Sequence, residues 1–291
     1  MTIHPVFVPV QGAQIAATIS LPEGPARGLA VLLQGFGATR SHRNRLWTRT
    51  AAALAGRGIA SLRLDYPGMG DSTGARLSMK DPPVAAVAAA TRLALDVAAA
   101  DAYAAVGNCL GARTALLLAG QVPACRGVGL ILPGTFDGIV RTAPPHRGAV
   151  ILRRIAHAVP PVRRLARRVA HGRADGSLHL LPEVESVLRS TSTLFLFMGS
   201  EQMWQRLVEG LAGPIRRAGR GAADRIERVH VPTVGSHGLQ PLSSQEAVLR
   251  VVPDWVDRAI SPEARSEASS PATPWAAGTS TGDVGVSARR K

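Results

Sequence analysis

Apolar and polar residues along the chain fall into two rhythms that alternate from end to end. Residues 6–10 and 14–21 flank a Gly12 turn and predict a pair of antiparallel strands. Leu29 to Leu33 is an unbroken apolar run, the pattern of a strand buried on both faces of a parallel sheet. Residues 45–57 space Leu46, Ala53 and Leu54 as a helix does and stop at Gly58. The same logic predicts strands over 59–64, 102–106, 127–132, 194–198 and 226–231. Helices are predicted over 83–100, 110–120, 203–217 and 242–260. Strands alternating with helices imply an α/β fold, a mostly parallel central sheet flanked by helices.

Two stretches depart from that rhythm. Residues 134–192 are helical but irregular, too long for an ordinary connection, and predict an inserted helical cap. Residues 261–291 are rich in Ser, Pro, Ala, Thr and Gly without periodicity and predict a disordered tail. The expected organisation is one domain over 1–260 followed by that tail. No internal repeat is visible.

Charge changes this picture more than composition does. The formal net charge is +14, and the only lysines are Lys80 and Lys291, so arginine carries it. A basic chain favours anionic partners, yet no zinc-finger spacing or aromatic-basic platform points to nucleic acid. The alanine-rich run over 84–100 is interrupted by Arg92 and Asp96 and does not read as a membrane span. Met1 to Pro22 lacks a basic start, an apolar run and a small-residue cleavage site. With two cysteines in 291 residues, the expectation is a reducing, cytoplasmic setting without membrane contact. Neither a cofactor nor a metal is expected.

The chemistry-bearing motif is Gly107-Asn108-Cys109-Leu110-Gly111, between a short strand and a helix. A nucleophile on a sharp strand-to-helix turn stands at the carboxyl edge of the sheet, with small neighbours avoiding a clash. The helix N-terminus beneath it favours negative charge, which activates a thiol and stabilises an oxyanion. The Leu110 N–H points where that oxyanion forms. Cys125 has no such setting and reads as an inert thiol.

This elbow resembles that of the α/β-hydrolases, with cysteine in place of serine as in dienelactone-hydrolase-like members. Three more segments follow in the family's order. Gln34-Gly35-Phe36-Gly37 resembles the His-Gly segment after the third strand, which implies Phe36 as second oxyanion donor. Leu64-Asp65-Tyr66-Pro67-Gly68-Met69-Gly70-Asp71-Ser72 resembles the loop after the fourth strand in the esterase, thioesterase and serine-aminopeptidase-like branch. Ser236-His237-Gly238 stands where the family keeps its catalytic histidine. The resemblance spans about residues 6–260 and implies the α/β-hydrolase fold with catalytic Cys109 and His237. Two positions depart from the pattern: Gln34 replaces the usual histidine, and Gln202 stands where the triad acid is expected. Glu201, one residue earlier, is the first choice for the acid, and Asp137 is the alternative. His230 reads as a strand residue facing a neighbour, and Asp65 and Asp71 as turn residues.

The functional expectation is hydrolysis of an ester or thioester through a Cys109 acyl-enzyme. An acyltransferase using the same intermediate, or a non-catalytic protein on a retired hydrolase fold, are the alternatives. The cap carries nine arginines between Arg141 and Arg173 and no acid. Val159-Pro160-Pro161 divides it, and Arg163, Arg164, Arg167 and Arg168 line one face of the second half. Beyond a small acyl substrate, this face fits an acidic acyl carrier protein, or contact with an anionic membrane or anionic substrate, or is simply solvated.

Overall fold

A computed structural model of the protein describes residues 1–75, 81–136, 138–140, 180–232 and 239–261. Strands β1 (Thr2–Val10) and β2 (Ala13–Leu21) pair antiparallel along their whole length. Their two-residue turn, Gln11 and Gly12, has φ of 48° and 80°, the backbone that matches strand twist in a tight hairpin. Six strands follow: β3 (Leu29–Leu33), β4 (Ala60–Leu64), β5 (Tyr103–Asn108), β6 (Cys125–Pro133), β7 (Ser192–Gly199) and β8 (Ile226–Pro232). They complete one sheet in the order β1-β2-β4-β3-β5-β6-β7-β8, antiparallel at β1–β2 and β2–β4 and parallel elsewhere.

The sheet divides the core into two layers. On one face lie α1 (Leu46–Ala55) and α6 (Leu242–Ile260), which contribute Leu46, Trp47, Leu54, Val248 and Trp255. On the other lie α2 (Val84–Ala98), α3 (Leu110–Ala119), α4 (Pro182–Ser190) and α5 (Glu201–Ala218). Covered on both sides, β3 and β4 are buried at every position. That explains the apolar run of β3; β4 departs from it by burying Ser61 and Arg63 as well.

At the outer edge, β1 carries Pro5 and Pro9, and Ile3 and Phe7 are exposed. Proline survives in a strand where its missing N–H faces away from the ladder.

Inside the stretch expected as the insertion, 134–192, two segments meet, and α4 beyond them packs into the core through Val184, Val187 and Leu188. Val140 forms an antiparallel bridge with Leu180, and the Leu181 N–H donates to the Ile139 carbonyl (2.8 Å). The arginine-rich stretch between them and residues 262–291 lie outside the described residues. Among the described residues no helix is long and apolar enough to cross a membrane.

From β3 the chain turns one way, through α1 to β4; from β5 it turns the other, through α3 to β6. Adjacent parallel strands whose connections diverge leave a crevice at their carboxyl ends. Phe36 and Cys109 occupy those two ends.

Candidate active site

Cys109 sits between the last residue of β5 and the first of α3, with φ 52° and ψ −117°. Such a backbone costs a non-glycine residue about 1–3 kcal/mol and persists only where the surroundings impose it. Here the surroundings do so sterically. A Cβ on Gly107 would lie 2.3 Å from the backbone of Gly111, and one on Gly111 would lie 2.3 Å from the Leu33 carbonyl oxygen. Strand β5, helix α3 and the end of β3 therefore meet backbone to backbone. The Cys109 carbonyl accepts from Ala112 N–H (3.1 Å) and Arg113 N–H (3.3 Å), which starts the helix directly behind the sulfur.

The two amides expected as oxyanion donors belong to Leu110 and Phe36. Leu110 is the first residue of α3, so its N–H has no acceptor inside the helix. Phe36 follows β3 on an exposed loop, and its N–H donates to no acceptor among the described residues.

The loop that carries Phe36 is held by Asn108 and Tyr66, to which the sequence reading gave no role, and by Gln34. Buried Asn108 accepts from the Gly35 N–H through Oδ1 (3.1 Å), tying the Phe36 loop to the residue before the nucleophile. Tyr66 donates its hydroxyl to the Gln34 carbonyl (2.8 Å). Burial pushes the Tyr66 phenol far above its usual range, so it stays a donor at any working pH. Gln34, fully buried, donates Nε2 to the Leu64 carbonyl (2.7 Å), so the residue standing in for histidine braces the loop from inside. The signal for Asn108 was present, as a polar residue ending an otherwise apolar and glycine strand.

Asp65 is a buried hub for the loop after β4. It accepts from the Arg40 N–H (2.6 Å) and the Asp71 N–H (3.1 Å) and pairs with the Arg40 side chain, which also reaches Asp71 (2.7 Å). The turn role read for both aspartates fits this geometry.

Glu201 opens α5 just after β7. Its carboxylate faces His230 Nδ1 at 3.2 Å and accepts from Gln205 Nε2 at 2.6 Å. His230 donates Nε2–H to the Gly199 carbonyl (2.8 Å) and stacks on Trp204, with ring centroids 5.2 Å apart and planes at 7°. His230 thus faces its neighbours. Asp137 and His237 lie outside the described residues. Cys125 is at the far end of β6, its Sγ 3.5 Å from the Gly127 carbonyl, and burial pushes its thiol up to about 11. Among the described residues no group of three or more His, Cys, Asp or Glu side chains forms a metal site.

Comparison with solved structures returns the same architecture. An esterase of Pyrococcus furiosus aligns with a TM-score of 0.57 at 12% identity over 89% of this chain and 91% of that one. The thioesterase domain of the curacin biosynthetic pathway aligns with 0.54 at 14% identity, over 88% and 99%. An alpha-beta serine hydrolase homologue from Coxiella burnetii aligns with 0.52 at 15% identity, over 90% and 99%. At these identities the likeness is one of fold. No curated protein sequence matches the chain. The sequence profile described as the alpha/beta hydrolase family matches residues 30–278, from β3 past α6. Profile, sheet order and elbow agree, and the chain belongs to the alpha/beta hydrolase family.

Proposed function

We propose that this protein is an acyl hydrolase that cleaves an ester or thioester through a covalent Cys109 intermediate. The observation that carries the reading is the strained backbone of Cys109, held between Gly107 and Gly111 beside the Phe36 loop. Strain of this kind is maintained at functional sites. The esterase and thioesterase named among the structural relatives agree with this substrate class.

In the proposed reaction His237 accepts the Cys109 proton, and Sγ attacks the substrate carbonyl carbon. The carbonyl oxygen becomes an oxyanion that accepts hydrogen bonds from the Phe36 and Leu110 amides. Collapse expels the alcohol or thiol, which takes its proton from His237 and leaves a thioester on Cys109. Water, deprotonated by His237, then attacks that thioester, releasing the acid and restoring the thiol. Glu201 is the first assignment for the acid orienting His237, and Asp137 the alternative. The engagement of Glu201 with His230 and Gln205 is the observation that favours Asp137.

The test is intact-protein mass spectrometry after exposure to a panel of acyl thioesters and activated esters. One acyl group is expected on Cys109, retained in Cys125→Ala and lost in Cys109→Ala. Undiminished labelling of Cys109→Ala would remove the assignment.

A further inference from the structure

Between Glu23 and Asp65 the sequence has seven arginines and no acid. Arg27 and Arg57 are paired with Asp257 and Asp254, and Arg40 with Asp65 and Asp71. Arg43, Arg45, Arg49 and Arg63 have no ion pair among the described residues. Three are exposed. Arg63 is 4% exposed, inside β4. Its Nη1 donates to Thr48 Oγ1 (2.7 Å), while Nε is buried with no hydrogen-bond partner among the described residues. Burial first, then the nearby Arg40 and Arg45, draws the Arg63 guanidinium below its usual range. A buried cation without a counter-charge is strongly disfavoured, and nothing described here supplies one.

Thr48 lies in the first turn of α1. Backbone carbonyls accept from its first two amides, Arg43 from Leu46 N–H and Ser41 from Trp47 N–H (3.1 Å), but among the described residues no negative charge meets its positive end. No side chain caps it, it has no acid in its first turn, and Arg45 occupies the capping position. The approach is itself contorted. His42, Asn44 and Arg45 have φ of 59°, 49° and 55°, three left-handed residues within four positions and none a glycine. His42 adds no charge, because burial holds its imidazole down at about 4.

We propose that the first turn of α1, with Arg63 beneath it and Arg45 at its rim, is a binding site for a small oxyanion, a phosphate or a carboxylate. The oxyanion accepts from Arg63 and Arg45, beside half-buried Thr48, whose hydroxyl already accepts from Arg63. Arg45 lies on the same β3–α1 connection that carries Phe36. An anion there is either a free ion or the charged end of an acyl substrate; the second source rests on the hydrolase reading above.

The first arm is calorimetric titration with inorganic phosphate at constant ionic strength, on the parent, Arg45→Gln, Arg63→Met and Arg216→Gln. Saturable binding is expected in the parent and Arg216→Gln, weakened at least about tenfold in the other two, since a charge-assisted hydrogen bond is lost. Arg45 is exposed, so its variant folds whether or not Arg63→Met does. Absence of saturable binding, or equal affinity in Arg45→Gln and the parent, overturns the site. The second arm compares kcat/KM for a neutral p-nitrophenyl ester and one ending in a carboxylate. A substrate-borne anion makes Arg45→Gln selectively slower on the charged ester; a free ion leaves the two esters alike while phosphate still binds. If neither ester is hydrolysed, the hydrolase reading fails and the site is still decided by calorimetry.

Discussion

Alanine in place of Gly111 would set a methyl carbon 2.3 Å from the Leu33 carbonyl oxygen, 2.7 Å from its carbon and 2.8 Å from the Gln34 oxygen. All three are backbone atoms, and none can swing aside. Ordinary carbon contacts sit near about 3.5 Å, so the start of α3 must withdraw from β3 by roughly 1 Å. Overpacking of this size costs about 1–3 kcal/mol, which lowers Tm by about 2–4 °C for each kcal/mol in a chain of this length. The catalytic loss is larger in proportion. Withdrawal carries Cys109 and the Leu110 amide away from the Phe36 loop, and a 1 Å misplacement costs about a hundredfold in rate. Gly120→Ala is the matched control. It follows the same helix with φ −81°, and its new methyl meets only the Leu117 oxygen at 3.6 Å. The assay is kcat/KM on p-nitrophenyl butyrate with a thermal melt of each variant. A Gly111→Ala protein within threefold of the parent, with unchanged Tm, would refute the backbone-contact argument.

His237→Ala should lower the acylation rate by about 10²–10⁴-fold, the usual share of a general base, measured by pre-steady-state release of nitrophenol. Because Glu201 is engaged by His230 and Gln205, Asp137→Asn should slow turnover more than Glu201→Gln; the opposite ranking in steady-state kinetics assigns the acid to Glu201. His42 is 7% exposed and held at about 4 by burial, so the folded state resists its protonation. Its contribution is complete above its ordinary value of 6.5 and lost as pH falls from there toward about 4, a difference on the order of 3 kcal/mol. Urea midpoints at both ends of that window should differ less in His42→Gln than in the parent. Replacing Arg163, Arg164, Arg167 and Arg168 with glutamine should slow hydrolysis of a carrier-bound thioester at low salt and spare a small ester; equal effects on both would leave the arginines as a solvated face.

Much of the sheet was legible because burial on both faces writes itself as uninterrupted apolar runs, as in β3. Strand β1 begins at Thr2, earlier than its alternation indicates, because Pro5 reads as a breaker but is tolerated on an edge. Helix α5 begins at Glu201, before its apolar spacing does, because Ser200 caps it through the Met203 N–H (3.4 Å). The Cys109 elbow was legible because its glycines answer local steric demands. The partners of the site were not. Asn108 with Gly35, Tyr66 with Gln34 and Arg63 with Thr48 join segments that only the crossover connections bring together. Arg63 is the clearest case, since one arginine between two leucines carries no signal of a partner on another segment. It is buried between sheet and helix.

The outer strand has a bearing on how this protein behaves when crowded. Among the described residues no strand pairs with the outer edge of β1, which leaves a row of backbone groups there beside Phe7 at 63% exposure and Ile3 at 51%. Exposed apolar edges of that kind recruit further strands and seed aggregates. Pro5 and Pro9 interrupt the row at two places four residues apart. An incoming strand finds no continuous set of donors to zip against, so the apolar edge is kept from becoming a template. The two prolines act as gatekeepers for solubility, a task independent of the chemistry at the opposite side of β3.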